Sequence, residues 1–228
     1  MSYADQVFIS MCEDILENGT STEGEKVRPH WPDGESAYTI KQFGVVNRYD
    51  LSKEFPALTL RKTYIKSAID ELLWIWQKKS NNVNDLKSHI WDEWEIKEGF
   101  WDGTIGKAYG YQLRDKLRQI NGKWFNQVEY VIHQIKNNPR SRRILTTLYN
   151  VEDLKDMALE PCVYETQWEV DDDDYLILHV RQRSADMALG ISFNLLQYSA
   201  LHRLMAKSTG KKLGNMYWNI GNAHIYDR

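Results

Sequence analysis

At 228 residues with 42% hydrophobic side chains, the chain can bury one substantial core and is short enough to be a single domain. A net charge of −3 and a mean hydropathy of −0.59 argue against a stable nucleic-acid partner, which needs a broad basic face; they leave room for small anions met by local arginines. Two cysteines give no disulfide framework, no apolar run approaches about 18 residues, and no signal peptide opens the chain, so no membrane association and a cytoplasmic location are expected.

Residues 3–18 carry Val7, Phe8, Met11, Cys12 and Ile15 on one helical face, with Gly19 placed to end the helix; Cys12 reads as a packed thiol. The polar loop from Thr20 to Asp33 holds a single arginine, Arg28. Tyr38, Ile40, Gln42 and the following Phe43-Gly44-Val45-Val46 read as strand. Tyr64 to Lys78 has helical period, with Ile65, Ile69, Leu72, Leu73 and Trp76 apolar. Glu71 shares the stripe of Ala68 and Ile75, so desolvation is expected to raise its carboxyl toward a value useful for proton transfer, while Asp70 is expected in solvent. Leu86 to Trp94 reads as a short helix with Trp91 and Trp94 on one face, and a loop from Gly103 to Gly110 carries Tyr109. Val128, Val131, Ile132 and Ile135 mark another helix, stopped by Asn137-Asn138-Pro139. The paired forks of Arg142 and Arg143, suited to phosphate oxygens, then precede a strand from Ile144 to Tyr149.

The densest chemistry lies between Glu160 and Asn194. Tyr164, Thr166, Trp168 and Val170 alternate as a strand does, Asp171 to Asp174 make a turn, and Tyr175, Ile177, His179 and Arg181 give the second strand its alternation. Antiparallel pairing returns Arg183, Ser184 and Asp186 to Cys162. A guanidinium beside a thiol favours the thiolate, which is the attacking form, so the hairpin sets a nucleophile against an anion-binding cluster. The alternative for Cys162 is an inert buried thiol. Residues 193–207 read as a helix with Leu201, Leu204 and Met205 inward, and 213–220 as a strand followed by His224 and Tyr226.

Pro161-Cys162, Gln182-Arg183-Ser184-x-Asp186 and Gly190-x-x-Phe193-Asn194 resemble the active-site signature of the thymidylate synthase family. Asp70-Glu71-Leu72-Leu73-Trp74, Ile90-Trp91-Asp92-Glu93-Trp94, Ser141-Arg142-Arg143-Ile144 and Ala223-His224-Ile225-Tyr226 extend the resemblance, in the family's order, over nearly the whole chain. It implies an α+β fold, with a predominantly antiparallel or mixed sheet, helices on one face and a homodimer interface on the other. The implied reaction is reductive methylation of deoxyuridylate to thymidylate through a covalent cysteine adduct. Its co-substrate is 5,10-methylenetetrahydrofolate, as carbon donor and reductant, and no metal takes part.

The resemblance also implies roles. Cys162 is the nucleophile; Glu71 and Tyr109 are candidates for moving the C5 proton. Arg28, Arg183 and Ser184 would hold the phosphate, with Arg142 and Arg143 reaching in from the partner subunit. His224 and Tyr226 would hold the ribose hydroxyl and Asn194 the uracil edge. Asp186, Ile90, Trp91 and Trp94 would face the folate ring, and Arg61 its glutamate tail.

Three departures stand out. Pro29-His30-Trp31-Pro32 replaces the family's Arg-Thr-Gly after Arg28, and Val163 stands where many members have His. The sequence stops at Arg228, where the family continues to a tail that closes over folate; a polypeptide ending there is expected to bind folate poorly and to be crippled for methylation. Two other readings stay open: a deoxyuridylate hydroxymethylase, in which water replaces hydride, and a non-catalytic dimer that binds nucleotide or RNA.

Overall fold

The computed structural model describes residues 1–228. Six strands form one mixed sheet: β1 (Thr20–Ser21), β2 (Thr39–Asp50), β5 (Leu145–Thr147), β6 (Val163–Val170), β7 (Tyr175–Asp186) and β8 (Lys212–Tyr226), in the order β1-β2-β8-β7-β6-β5. Every pairing is antiparallel except β7 with β8, which α5 (Gly190–Thr209) connects as a crossover. A small hairpin of β3 (Arg118–Ile120) and β4 (Lys123–Phe125) stands apart. The helices α1 (Tyr3–Asn18), α2 (Ile65–Leu73) and α4 (Gln127–Asn137) join α5 in covering the sheet, and α3 (Gly110–Asp115) follows the Tyr109 loop.

Register explains which side is covered. Thr166 opposes Val180, Trp168 opposes Leu178 and Val170 opposes Leu176, and all six are buried. Met216, Trp218 and Ile220 of β8 join them against Ile15, Leu72, Val131, Leu195 and Leu201. Each large apolar side chain so buried contributes about 1.5–3 kcal/mol. The core face of β7 is therefore Leu176, Leu178, Val180 and Gln182; the predicted run of Tyr175, Ile177, His179 and Arg181 lies on the opposite, half-buried face. That opposite face also carries Tyr217, Asn219 and Val46, the last 62% exposed.

Local chemistry sets the helix ends. Ser2 and Asp5 form a reciprocal cap on α1, as Asn126 and Glu129 do on α4, and Gly210 ends α5 at φ 73°. The segment predicted as one helix from Tyr64 to Lys78 is α2 followed by a π-helical turn, Trp74–Lys78, which ends on Lys79 at φ 54°.

Four readings change. Leu86 to Trp94 is not a helix: 3₁₀ turns at Val83–Asp85 and Asp92–Trp94 flank a bend, with Asn82 capping the first through the Asn84 N–H at 2.9 Å. Leu204 is 44% exposed, because the inward stripe of α5 centres on Tyr198, His202, Met205 and Thr209. His224 and Tyr226 lie on β8 itself, not beyond it. Asp70 is half-buried and accepts the Lys87 N–H at 2.9 Å. No helix is long and apolar enough to cross a membrane.

Candidate active site

The β6–β7 hairpin closes as its alternation predicts. Arg183 N–H donates to Cys162 O at 2.8 Å, and the Arg183 side chain donates to Pro161 O at 3.1 Å and Glu160 O at 2.8 Å. The guanidinium is thus strapped to the residues just before the thiol. Cys162 is half-buried, and burial pushes its thiol up; Arg183 and Arg28 pull the other way without cancelling that. The expectation that the arginine would leave a lowered thiol is corrected: desolvation outweighs the guanidinium field here.

Two cavities share the end of this hairpin. One, of about 760 Å³, holds Cys162, Glu71, Tyr109, Asn194 and Asp186, with walls that include Ile90, Trp91 and Trp94. Trp91 and Trp94 reach it from a bend and a 3₁₀ turn, not from one helical face; Trp91 packs on Trp74 at 6.1 Å and on Tyr109 at 5.3 Å between ring centroids. The other cavity, of about 400 Å³, is lined by Arg28, Arg183, Ser184, Asn222, His224 and Tyr226. Parallel pairing of Ser184 with Asn222 and of Asp186 with His224 brings the ends of β7 and β8 to the same edge. His224 meets Asn222 Oδ1 through Nδ1 at 3.0 Å and packs edge-on to Tyr226 at 5.3 Å; burial lowers the imidazole.

Glu71 is 7% exposed, and its carboxylate accepts from Trp91 Nε1 at 2.6 Å and from Gln197 Nε2. Burial pushes the carboxyl up to about 7, with those two hydrogen bonds acting against it. The Tyr109 phenol accepts the Cys162 N–H at 3.2 Å, and burial holds the phenol well above its ordinary 10.0. Tyr109 sits at φ 44°, ψ −98°, and a Cβ on the next residue, Gly110, would lie 2.1 Å from Ser80 O. The close approach of Gly110 is therefore part of how the phenol is aimed.

Sequence reasoning placed Gln182 in the signature without a role and assigned nothing to Gln197 or Trp218. Trp218 Nε1–H donates to Gln182 Oε1 at 3.0 Å, Gln182 Nε2 to Asn194 Oδ1 at 3.1 Å, and Asn194 Nδ2 to Gln197 Oε1 at 3.4 Å; Gln197 Nε2 then donates to Glu71. A glutamine three residues after Asn194 on an otherwise apolar helical stripe was the available signal for Gln197.

The remaining candidates lie outside the cavities. Arg142 and Arg143 are exposed and line neither; Arg143 borders a different surface with Lys116 and Arg118. Arg61 is exposed and donates to Ala188 O, beside Leu189 on the rim of the larger cavity. No group of three or more His, Cys, Asp or Glu is placed to hold a metal ion. Flat aromatic walls and the carboxylate of Asp186 in the larger cavity fit a pterin-like ring carrying N–H donors.

A half-buried thiol, a strapped guanidinium and a locked amide together suit an enzyme that holds a small anionic substrate and offers it a nucleophile. A family model described as thymidylate synthase matches residues 6–228, and the chain belongs to that family. It is 50% identical to the thymidylate synthase of Bacillus licheniformis and to thymidylate synthase 1 of Bacillus subtilis strain 168, in each case over 100% of this chain and 81% of the relative. Its fold is similar to that of thermostable thymidylate synthase A from Bacillus subtilis, with a TM-score of 0.93 and 49% identity over 99% of this chain and 80% of that one.

Proposed function

We propose that this chain converts deoxyuridylate to thymidylate, with methylenetetrahydrofolate as co-substrate. The observation that carries the reading is the hairpin end: Cys162 opens into the aromatic cavity, while Arg183, bonded to it, opens into the polar one. A nucleotide spanning both would put its phosphate on Arg28, Arg183 and Ser184, its sugar on His224 and Tyr226, and its base over Cys162 and Asn194.

The chemistry follows from those placements. The Cys162 thiolate bonds to C6 of the uracil, and the electron pair moves out to O4, where the Asn194 amide N–H meets the developing charge. The folate, when bound between Trp91, Trp94 and Asp186, supplies the one-carbon unit and the hydride. Tyr109, with Glu71 acting through water, takes the C5 proton; a carboxyl near 7 serves both as donor and acceptor at working pH. Loss of that proton would expel the folate nitrogen from the transferred carbon and leave a methylene on C5. Hydride supplied by the folate would then add to that methylene, and the electron pair returning to C5–C6 would release the sulfur and regenerate Cys162.

The half-buried sheet face would meet a second copy. It carries a hollow of about 720 Å³ lined by residues including Val46, Tyr149, Tyr164 and Arg181, which suits a self-complementary interface. In such a homodimer the exposed Arg142 and Arg143 would reach the phosphate of the neighbouring site. Residues 1–228 act as one domain in this reading, in a reducing compartment such as the cytoplasm, where the Cys162 thiol persists.

Product analysis tests the function. Purified protein given deoxyuridylate and methylenetetrahydrofolate at high concentration is expected to yield thymidylate and dihydrofolate as its products, however slow the turnover of a polypeptide ending at Arg228. Hydroxymethyl-deoxyuridylate with tetrahydrofolate, or no product with nucleotide still bound, would overturn it in favour of the hydroxymethylase or the non-catalytic binder.

A further inference from the structure

The loop carrying Tyr109 is tied to the segment leading into Cys162 by charges that no step of the reaction uses. Asp153 is 5% exposed, yet its carboxylate meets four donors: Lys116 Nζ at 2.7 Å, Gln112 Nε2 and Asn150 Nδ2 at 3.0 Å, and Lys107 Nζ at 3.1 Å. Burial pushes this carboxyl up, but Gln112, Lys116 and Lys107 outweigh that and hold it at about 2. Lys107 Nζ also meets Asp156 at 2.7 Å, and its backbone N–H donates to Asp156 O at 2.9 Å. The Ala158 N–H donates to Ile105 O at 3.2 Å, and a Cβ on Gly106 would lie 1.9 Å from Asp156 O.

Two stretches, 105–109 and 153–158, are therefore locked at contact distance just before each reaches its functional residue. Beyond the lock, the only direct bond between those residues is the Cys162 N–H to the Tyr109 phenol at 3.2 Å. The backbone at Tyr109, φ 44° and ψ −98°, is one that a residue with a side chain takes only when its surroundings impose it.

We propose that Lys107, anchored on Asp153 and Asp156, is a positioning residue: it holds the Tyr109 phenol at the separation from Cys162 that serves the C5 proton of a nucleotide bonded to that thiol. The inference rests on the role given to Tyr109 above. Arg183 of β7 and Asn194 of α5 hold the nucleotide from other elements, so loosening the clasp should slow turnover while sparing nucleotide affinity. Misplacement of a reacting group by about 1 Å costs up to roughly a hundredfold in rate.

The test compares Lys107→Met, Lys107→Gln, Lys107→Arg and Tyr109→Phe. Thermal melting confirms folding, and kcat and KM for deoxyuridylate are measured with C5-protonated and C5-deuterated substrate. Lys107→Met and Lys107→Gln are expected to lower kcat by about tenfold or more, leave KM within about twofold of wild type, and enlarge the deuterium effect on kcat. Lys107→Arg, whose fork can span both carboxylates, is expected to restore kcat and the wild-type isotope effect. A slowed Tyr109→Phe beside Lys107 variants with a wild-type isotope effect would overturn the clasp alone. Wild-type proton transfer in Tyr109→Phe would overturn the role of the phenol, and the clasp with it.

Discussion

Gln182 donates its side-chain N–H to Asn194 Oδ1 at 3.1 Å, and that bond fixes which way round the Asn194 amide faces. An indole N–H can only donate, so Trp218 fixes Gln182 Oε1 as acceptor and Gln182 Nε2 as donor. Asn194 Oδ1 is then an acceptor, and its Nδ2 points to Gln197. The free lone pair and the free N–H of this locked amide match the N3–H and O4 of uracil, and oppose cytosine.

Asn194→Asp is therefore expected to lose deoxyuridylate turnover and to gain relative activity on deoxycytidylate. An unpaired buried polar group can reject a ligand by up to about ten-thousandfold. Trp218→Phe, which frees the Gln182 amide to flip, is expected to narrow the preference between the two nucleotides in the same direction, by less. Competition kinetics with both substrates give the ratio directly; an unchanged ratio in both variants would place base recognition elsewhere.

Replacing the nucleophile separates binding from chemistry. Cys162→Ser keeps the size of the side chain but offers an oxygen that is not ionised near neutral pH, so turnover should fall below a few per cent of wild type. Nucleotide binding should persist, because Arg183 keeps its bonds to the carbonyls of Glu160 and Pro161. Titration calorimetry with deoxyuridylate and a thymidylate assay on the same preparation check both halves.

Stability should carry the mark of two buried groups pulling in opposite directions. The Glu71 carboxyl is raised from its ordinary 4.5 to about 7, so the folded chain binds that proton more tightly than the unfolded one. It lowers stability as pH rises through that window, by on the order of 3 kcal/mol in full. His202, fully buried with Nε2 bonded to Leu176 O at 2.7 Å, is lowered by burial from 6.5 to about 4. It raises stability across an overlapping window, so the two slopes oppose each other in the wild type. Glu71→Gln should unmask the His202 rise. Urea midpoints at pH 5 and pH 7.5 are expected to move apart in the variant more than in the wild type, and parallel shifts would show that Glu71 does not titrate there.

The exposed arginines make a subunit-mixing prediction. If Arg142 and Arg143 act on the neighbouring phosphate, a double Arg142→Ala, Arg143→Ala protein mixed with Cys162→Ser should recover activity. Each heterodimer then contains one site with an intact thiol and intact arginines. Absence of recovery after verified subunit exchange would confine the two arginines to their own chain or to another role.

Much of the site was legible because it is local. The hairpin brings Cys162 to Arg183 through alternation and one turn, and the burial of Glu71 follows from its neighbours one helical turn away. The Trp218–Gln182–Asn194–Gln197 relay was not legible, since it depends on how α5 lies across the β7–β8 pair and no single periodicity encodes that crossing. The sign of the Cys162 shift was misjudged for a related reason: sequence shows the guanidinium but not the depth of the thiol, and depth prevails. The bend around Trp91 was read as helix because aromatic spacing mimics a helical face; the Asn82 cap and the burial of Trp91 against Trp74 and Tyr109 decide otherwise.

The pairing of β2 with β8 has a consequence for biosynthesis. Thr39 meets Tyr226 and Asp50 meets Asn215, so the two strands are separated by nearly the length of the chain. At about 5–20 residues per second, a ribosome leaves the long β2 edge without that neighbour for roughly ten seconds or more. Such distant pairings also fold slowly, because loop closure must precede any gain from contact. The strand that pairs with β2 along its length is the one that carries His224 and Tyr226, so β2 joins the sheet and those two side chains reach the site in one event. A ligand gripping those two side chains would bind only chains in which β2 and β8 have paired, and would stabilise that paired state by mass action.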